Sequence, residues 1–475
     1  MNIKDKGQIF TPSYIVNHLL DLSGYKVGKK ILRKHIIDNS CGNGAILQEV
    51  VDRYCQSYML WNENVLNLKD ELEQYIHGID IDDNLVNDCI STLNNICSNY
   101  GVFDIQWDIK QGNTLTETRF DKRMDFVIGN PPYVRTHNLN QSYDMVKNFM
   151  FTQDGASDLY LTFFELGINM LNKTGRLCYI TPSSWTTSKT GKIMRTYFKN
   201  NKLIKRIVDM ESHEIFDNVS VYTMITLLDK SHNDNTFSYY RYNEEDKTIY
   251  RSCILNINDI DVNDNFYFAD NIKLLQNVND VNIDKKIIVK NGVATLLDKV
   301  FIKDDFPFLN YTKQILKAST GEWKKCFFPY DDFGNPLPPS DIKEYKNIMV
   351  YLEEYKEELL KRKCDNNIVD WFYYGRSQGL KDTFRERIAI NNLIKDVDTI
   401  KINHIPEGCV VYSGLYIYSD TFNVNEIEDL LKTNDFVEYV KSLKKYKNGG
   451  YYTFNSKDLE NYLNYKINYV ENKSC

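Results

Sequence analysis

Helical and strand-like patterns alternate along the first 230 or so residues of the chain. Short apolar runs of strand length are mostly followed by turn residues and then by apolar residues at helical spacing, as in Leu159–Leu171. Such alternation predicts an α/β fold with a doubly wound, mostly parallel sheet covered by helices. The predicted strands are Lys34–Asp38, Tyr75–Asp80, Ile105–Lys110, Met124–Ile128, Arg176–Thr181, Ile204–Asp209 and Val221–Leu228.

The end of this alternating region predicts a domain boundary. No long helix separates Val221–Leu228 from the preceding strand, which favours an antiparallel strand closing the edge of the sheet. The polar stretch Lys230–Asn235 is typical of a linker. Residues 236–475 combine short strands, aromatic loops and a long charged helix over Ile342–Lys363, without a βαβ rhythm. The pattern therefore predicts a first domain over 1–230 and a mixed α+β domain over 236–475, as a chain of this length favours.

Charge and cysteine usage narrow the class of protein. The net charge of -7 argues mildly against a protein that only coats nucleic acid. Ten scattered cysteines without zinc spacing predict free thiols in a reducing cytoplasm and no metal site. The N-terminus has no signal-peptide pattern and no apolar run is long enough to span a membrane. Local basic clusters could still bind phosphates or simply be solvated helix faces: Lys199, Lys202, Lys205 and Arg206, and Lys441, Lys444, Lys445 and Lys447.

The segment Ile36–Leu47, IIDNSCGNGAIL, predicts a ligand loop after the first strand. Gly42 and Gly44 permit positive φ angles and close approach of a ligand to the backbone. A helix beginning near Ala45 would point its N-terminus at that ligand, as in the first βα turn of nucleotide-binding folds. An ordinary tight βα loop is the alternative.

Two further polar residues follow predicted strands. Asp80 ends the next strand, where a carboxylate can accept hydrogen bonds from both ribose hydroxyls, and a helical insert over Cys55–Gln74 explains its distance from the Gly loop. Asn113 follows the third strand and could bond an adenine edge. A helix cap for Asp80 and a turn role for Asn113 are the alternatives.

The segment Asp125–Tyr133, DFVIGNPPY, is the most specific signal in the chain. Pro131 and Pro132 stiffen the loop after the strand and donate no N–H, so nearby carbonyls stay available as acceptors. The Asn130 side-chain oxygen and the Pro131 carbonyl could draw the hydrogens of an exocyclic amino group and make its nitrogen nucleophilic. Tyr133 could stack on the ring that carries this group.

In their order these elements resemble the gamma-type, or Taq-type, N6-adenine DNA methyltransferases of restriction-modification systems, over roughly residues 6–230. That family has a Rossmann-like catalytic domain followed by a target recognition domain, and it uses S-adenosyl-L-methionine. Gly7–Pro12 is similar to its N-terminal cofactor motif, in which Thr11 would contact the methionine end. Asp38 matches the acid that holds the methionine amino group. The resemblance places three further residues in the family's Gly loop: Cys41, Gly42 and Gly44.

The resemblance also implies the remaining contacts. Asp80 matches the ribose-binding acid, and Asn113 stands where the family often has Asp beside the cofactor adenine. Ser157–Phe164 is similar to the motif whose aromatic residue, here Phe163, packs on that adenine. Glu214–Val221 resembles the motif whose aromatic residue packs on the flipped target base, which is Phe216 here.

Two departures from the family pattern are Asn39, where proline is common, and Asn113, where Asp is; both could weaken cofactor binding modestly. The resemblance implies that double-stranded DNA lies in a cleft between the two domains, with the target adenine extruded beside Asn130. A separate restriction endonuclease is a possible partner. No metal is expected, because the sulfonium leaving group is already activated.

In the second half, three stretches loosely resemble C-terminal domains of restriction-associated adenine methyltransferases: Asn291–Phe301, Trp371–Gly379 and Gly449–Leu459. Within them Arg376, Ser377 and Gln378 have side chains that could read base edges. A solvated loop is the alternative for each of them.

Several alternatives remain open at this point. Asn-Pro-Pro-Tyr also occurs in enzymes that methylate glutamine in release factors, and related tetrads occur in rRNA base methyltransferases. The long C-terminal half disfavours the first group, whereas an RNA target stays open. A DNA-specificity module without catalysis is disfavoured by the intact tetrad. A fused restriction–methylation enzyme is disfavoured because the cofactor motif begins at Gly7 and no nuclease signature stands out in residues 236–475.

Overall fold

A nine-stranded sheet organises the N-terminal part of the chain. The structure is a computed structural model that describes residues 11–61, 66–135, 143–153, 158–216, 221–268, 272–279, 284–366 and 368–473. The chain divides into two compact units, Met1–Asp270 and Asn271–Cys475. The strands of the first sheet are β1 Ile36–Asp38, β2 Ile76–Asp80, β3 Asp108–Gln111, β4 Met124–Gly129, β5 Leu171–Pro182, β6 Ile204–Asp209, β7 Thr223–Asp229, β8 Thr236–Asn243 and β9 Thr248–Asn256.

The strand order is β3-β2-β1-β4-β5-β7-β6-β8-β9. Strand β7 is antiparallel to both of its neighbours, β9 is antiparallel to β8, and the other pairs are parallel. The order reverses between β1 and β4, so the carboxyl ends of these two strands flank the crevice in which doubly wound sheets bind their ligands.

Helices cover both faces of this sheet. Side chains of β5 alternate between two cores: Cys178 and Ile180 belong to one, and Leu177 and Tyr179 to the other. The first core includes residues of the helices Ser13–Ser23 (α1), Leu47–Trp61 (α2) and Asp83–Ser98 (α4). The second core includes residues of Leu159–Met170 (α6) and Lys192–Asn200 (α7). The helices of this unit are α1 Ser13–Ser23, α2 Leu47–Trp61, α3 Leu66–Tyr75, α4 Asp83–Ser98, α5 Tyr143–Val146, α6 Leu159–Met170, α7 Lys192–Asn200 and α8 Ile257–Ile260.

The predicted fold class is confirmed: the sheet is doubly wound, mostly parallel and Rossmann-like. All seven predicted strands exist, and Ile204–Asp209 has the predicted bounds. The third strand begins three residues later than predicted, at Asp108. The predicted helical insert is the pair α2 and α3. Strand β7 is antiparallel as predicted, but it lies between β5 and β6, so its predicted place at the edge is wrong.

The predicted boundary after residue 230 is also wrong. The stretch Lys230–Asn235 is a turn, and the hairpin of β8 and β9 that follows it extends the first sheet through parallel pairing of β8 with β6. A second small hairpin, β10 Asp261–Val262 with β11 Asn265–Phe266, also belongs to this unit. Alternating polar and aromatic residues such as those of Thr236–Asn243 fit an outer strand as readily as a new domain, so the pattern alone does not locate the boundary.

The second unit is a mixed α+β assembly, as predicted. One sheet has the order β12-β20-β16-β18, another β13-β15-β14-β19, and a small one β17-β22-β21. Their strands are β12 Ile287–Asn291, β13 Ile302–Lys303, β14 Thr312–Lys317, β15 Glu322–Phe327, β16 Arg387–Ile390, β17 Leu393–Ile394, β18 Ile402–Ile405, β19 Val410–Tyr412, β20 Leu415–Ser419, β21 Tyr446–Lys447 and β22 Tyr451–Thr453. The helices are α9 Ile272–Val278, α10 Asp298–Phe301, α11 Pro339–Lys343, α12 Lys346–Glu353, α13 Lys356–Leu360, α14 Val424–Leu431, α15 Asn434–Ser442 and α16 Ser456–Lys473.

The long helix predicted over Ile342–Lys363 is not continuous. It is divided among α11, α12 and α13, with breaks next to Tyr345 and Tyr355. Tyr345 takes an extended backbone and packs edge-on against Tyr311, and Tyr355 packs on Tyr351. The helix breaks thus coincide with ring contacts of two partly buried tyrosines, which the charge pattern does not predict. Among the described helices, none has a stretch of apolar residues that could cross a membrane.

Candidate active site

The loop between β1 and α2 brings backbone groups to the carboxyl edge of the sheet. Gly42 and Gly44 both have the positive φ angles, 50° and 86°, that glycine favours. A Cβ on Gly44 would lie 2.7 Å from Sγ of Cys89, so this glycine lets the loop pack on α4. A Cβ on Gly42 would meet no atom within 4 Å. The loop is thus tied down at Gly44 and bordered by open space at Gly42.

Asp80 connects this loop to the end of β2. Its carboxylate accepts hydrogen bonds from the N–H groups of Gly42, at 2.8 Å, and Asp82, at 3.0 Å. The Cys41 N–H donates to the Ile79 carbonyl at 2.9 Å. The N-cap of α4 is Asp82, which accepts from the Asn84 N–H, so Asp80 is not the helix cap that was the alternative for it. Asp80 instead holds the Gly loop against β2 through the bond from Gly42.

Asp38 is a buried carboxyl group at the end of β1. It is 2% exposed, and its side chain accepts from the Ser40 N–H at 3.1 Å. Burial, reinforced by the nearby charge of Asp80, raises the pKa of Asp38 to about 7. A Cβ on Gly129 of β4 would lie 3.2 Å from Oδ1 of Asp38, so the glycine lets the two strand ends approach. No cationic side chain of the described residues is among the causes of this pKa shift, so none of them offsets the effect of burial on Asp38.

Asn113, which follows the third strand, caps a short turn with its side chain. The Asn113 side-chain oxygen accepts from the Leu115 N–H at 3.0 Å and caps the short 3₁₀ turn Thr114–Thr116. The turn role proposed as the alternative for Asn113 is therefore present, while its Nδ2 group is still a donor that could meet a ligand. The Thr114 hydroxyl donates to the Asn39 carbonyl at 2.7 Å and joins this turn to the Gly loop.

Asn39 has a structural role that sequence reasoning missed. Its side chain is wholly buried, and its Oδ1 accepts from the Tyr179 hydroxyl of β5 at 2.8 Å. With the Thr114 bond, Asn39 links β1 to two neighbouring parts of the sheet. The polar residue that departs from the family's usual proline is thus fully used in local hydrogen bonding. The only signal in the sequence was a polar side chain placed directly after an apolar strand.

Asn130 lies at the end of β4 beside Thr11, 119 residues away in the chain. Its Nδ2 donates to Oγ1 of Thr11 at 3.2 Å, a bond that fixes the orientation of the amide. Pro131 is buried directly after it. Gly7–Phe10, the beginning of the predicted N-terminal motif, lies outside the described residues. The structure therefore joins two of the predicted site residues that sequence spacing alone could not place together.

Tyr133 and Phe216 meet at the same site. Their ring centroids are 6.2 Å apart with an interplanar angle of 71°, an edge-to-face contact. The Tyr133 hydroxyl donates to the Ile180 carbonyl of β5 at 3.1 Å, and burial raises the pKa of Tyr133. Phe216 is only 3% exposed. Residues 217–220 of the predicted target-base motif lie outside the described part of the chain.

Phe163 and Ile81 differ in the surface they offer. Phe163 of α6 is 5% exposed and belongs to the second core, so little of its ring is accessible. Ser157, at the start of its predicted motif, lies outside the described residues. Ile81, which sequence reasoning missed, follows Asp80 directly and is 67% exposed. Because Ile81 lies at the carboxyl edge of the sheet, where such folds bind ligands, it is a candidate ligand contact that the segment HGIDID could have suggested.

The basic clusters are largely paired with acids or carbonyls. Lys199 contacts Asp261, and Lys205 contacts the buried Asp229. In the second cluster, Lys445 contacts Asp458. Neither cluster is therefore a clear phosphate-binding face. Among the described residues, no group of three or more His, Cys, Asp or Glu side chains could hold a metal ion, and the nine cysteines there are free thiols.

Part of the first unit is similar in sequence to known restriction-modification proteins. Residues 50–216 match the Eco57I restriction-modification methylase family. The chain is 24% identical to the Type II restriction enzyme and methyltransferase RM.Eco57I of Escherichia coli, over 92% of this chain and 55% of that protein. It is 27% identical to the Type II methyltransferase M.BstVI of Geobacillus stearothermophilus, over 50% of this chain and 44% of that protein. The chain thus spans about half the length of these curated relatives.

Solved structures agree on the fold. The Type IIL restriction-modification enzyme MmeI, solved in complex with DNA, superposes with a TM-score of 0.65 at 13% identity, over 94% of this chain and 64% of that one. A nuclease-deletion mutant of the Type ISP restriction-modification enzyme LlaGI, solved with a DNA substrate mimic, gives a TM-score of 0.58 at 11% identity, over 98% of this chain and 55% of that one. The resemblance to methyltransferases of restriction-modification systems, predicted from the sequence, is confirmed.

Proposed function

We propose that this chain methylates N6 of adenine at a specific site in duplex DNA, with S-adenosyl-L-methionine as the methyl donor. The observation that carries the proposal is the position of Asn130 at the end of β4, hydrogen-bonded to Thr11 through Nδ2. Asp38 and Asp80 end the neighbouring strands β1 and β2 of the same sheet edge. One edge of the sheet would therefore hold both parts of the site. Asn130 would accept from the target amino group, and Asp38 and Asp80 would bind the cationic and ribose parts of the cofactor.

The residues present fit that cofactor. A buried carboxyl group with a raised pKa, as in Asp38, favours a cationic partner such as the methionine ammonium group. The open space at Gly42 allows a ligand to approach the backbone of the loop. Both oxygens of Asp80 already accept one N–H each, and carboxylate oxygens retain further acceptor sites for ribose hydroxyls. The adenine end would be contacted by Ile81 and Asn113, and by Phe163 if its largely buried ring becomes exposed on binding.

When bound, the cofactor supplies a methyl group on a positively charged sulfur leaving group. The chain's own contribution is to position and polarise the target amino group. The Asn130 side-chain oxygen and the Pro131 carbonyl accept hydrogen bonds from its two hydrogens and favour a nucleophilic nitrogen. Thr11 holds the Asn130 amide in one orientation, so Asn130 need not reorganise during the reaction.

The aromatic residues stabilise the extruded base. Extrusion from the duplex costs a few kcal/mol, and stacking on an aromatic ring contributes about 1–3 kcal/mol per base. Phe216 is buried and meets Tyr133 edge-on, so stacking on both rings requires Phe216 to rotate away from the core as the base enters. We therefore expect base binding and Phe216 movement to be coupled.

The second unit would serve as the target recognition domain, and the enzyme would protect host DNA from a restriction endonuclease. The direct test is long-read sequencing of DNA from cells that express the wild-type protein or the Asn130→Ala variant. Methylated adenine within one short sequence in wild-type cells alone supports the proposal. Methylation of rRNA but not of duplex DNA in a labelled-cofactor assay would contradict the DNA assignment.

A further inference from the structure

Three sequence stretches that the catalytic site does not use converge on one cavity in the second unit. Asn291 belongs to the first stretch, Ser377–Gly379 to the second and Ser456 to the third. They lie up to 165 residues apart in the chain, yet all line the same cavity of about 290 Å³, at the end of β12 and the start of α16. This convergence of separate segments marks the cavity as a candidate binding site.

The cavity is cationic. Its lining contains Lys290, Lys381 and a single acid, Asp382. Asp382 is neutralised locally, because it accepts from Lys290 Nζ at 2.8 Å and from the Tyr416 hydroxyl at 2.7 Å. Behind Tyr416 lies the wholly buried Arg387, whose guanidinium is 5.1 Å from the centre of that ring. Lys381 and Arg387 therefore add positive charge that Asp382 does not balance, which favours an anionic ligand.

The loop on one side of the cavity is held rigidly by its own contacts. Arg376 forms an ion pair with Asp365 at 2.6 Å, and the Ser377 N–H donates to the same carboxylate at 3.2 Å. The Gln378 amide donates to the Gly292 carbonyl at 2.7 Å. Arg376 and Gln378 are thus engaged within the protein and are poorly placed for the bidentate base contacts that the sequence suggested for them.

The donors around the cavity suit a phosphate better than a base edge. Lys381 and the hydroxyls of Ser377 and Ser456 each offer a single-point donor, as phosphate contacts commonly do, whereas the base contacts that discriminate best are bidentate. Among the described lining residues, Asn291 is the one, apart from the engaged Gln378, whose side-chain amide carries both a donor and an acceptor. We propose that this cavity binds a backbone phosphate of the duplex and so positions the DNA on the second unit. The proposal rests on the proposed function, since it takes DNA as the ligand.

The test compares how DNA binding depends on salt in matched variants. Each lysine that neutralises a phosphate contributes about 0.9 to the slope of log affinity against log salt. Lys381→Ala should lower the slope by about that amount and weaken binding about eightfold at 0.1 M salt, taking the electrostatic contribution to vanish near 1 M. Lys346→Ala, an exposed lysine at the start of α12, is the control and should leave the slope unchanged.

Ser456→Ala sharpens the assignment, because a hydroxyl contact releases no counterion. It should weaken binding with the wild-type slope retained. The probe is a fluorescein-labelled duplex of mixed sequence, and melting temperatures verify that each variant folds. If Lys381→Ala keeps the wild-type slope while wild-type binding and methylation are intact, the phosphate assignment is overturned and the proposed function stands. If the wild-type protein neither binds duplex DNA nor methylates it, the proposed function fails as well.

Discussion

The carboxyl edge of the first sheet and the cavity of the second unit both gather residues from distant parts of the chain, but by different means. At the sheet edge, Asp38 and Asp80 end their strands and Asn130 directly follows β4, so the topology of the sheet brings them to one edge. In the second unit, Arg376 and Gln378 place their loop through individual contacts to Asp365 and a backbone carbonyl. The topology of the sheet thus determines where the residues of the first site lie, whereas individual side-chain contacts determine the position of the loop at the second.

The largest effect is expected at the sheet edge, at the residue proposed to accept a hydrogen bond from the target amino group. Asn130→Ala removes an acceptor of the amino group and should lower the methylation rate at least 100-fold, the scale of losing one preorganised polar group in an active site. Cofactor affinity, measured by calorimetry, should stay close to wild type because Asp38 and Asp80 are untouched. Methylation near the wild-type rate would refute the role given to Asn130.

The second unit should be most sensitive at a residue that the sequence did not single out. Arg362 donates to the carbonyls of Thr295, Trp371 and Tyr373 at 2.6–2.9 Å. Arg362→Ala leaves these acceptors without a charged donor and should lower the free energy of unfolding by about 3 kcal/mol. Thermal unfolding of the full chain measures this, with the exposed neighbour Lys361→Ala as the control. Equal melting temperatures for the two variants would show that the hydrogen bonds of Arg362 do not stabilise this unit.

A smaller effect is expected when the buried hydrogen bond between Asn39 and Tyr179 at the candidate site is broken. Asn39→Ala leaves the Tyr179 hydroxyl buried without its acceptor, at a cost of about 2 kcal/mol. Adding Tyr179→Phe removes the stranded hydroxyl and should recover part of that loss. Chemical denaturation of the single and double variants measures both steps. If the two losses simply add, the Asn39–Tyr179 bond is not what makes Asn39 important.

The smallest expected effect concerns the protonation of Asp38. With its pKa near 7 in the free protein, binding of a cationic ligand requires loss of the proton, so cofactor affinity should rise about tenfold between pH 6 and pH 8. Because the pKa is raised above its unfolded value, Asp38 makes the cofactor-free protein less stable as pH rises from about 4 to 7. Asp38→Asn should bind the cofactor weakly at every pH and melt higher than wild type at pH 8.

A pH-independent affinity in the wild-type protein would contradict this assignment. Titrations by calorimetry should be repeated in buffers with different ionisation enthalpies, because the measured heat then reports the proton released on binding. A released proton that disappears in Asp38→Asn would locate the titration at this carboxyl group.

The two regions also differ in how far the sequence predicts them. Strands, their order along the chain and the site residues at their ends follow from apolar periodicity, because a parallel sheet gathers its carboxyl ends at one edge. The contact between Asn130 and Thr11 needed the fold, since Thr11 lies before the first strand. The helix breaks at Tyr345 and Tyr355 do not follow from the local sequence pattern. The same is true of the hydrogen bond from Arg362 to the distant Thr295 carbonyl, which depends on tertiary packing.

The hairpin of β8 and β9 has a practical consequence for dividing the protein. Its turn reaches back to the first helix, where the Lys247 carbonyl contacts the His18 ring at 2.8 Å and Tyr242 stacks on Tyr14. A fragment ending at residue 235 would lose this support for α1, which begins two residues after Thr11. It would also leave the backbone of β6 exposed along Arg206–Asp209, where β8 now pairs. Such an unpaired edge favours association of one fragment with another, so a fragment extending to residue 270 is the one expected to remain monomeric.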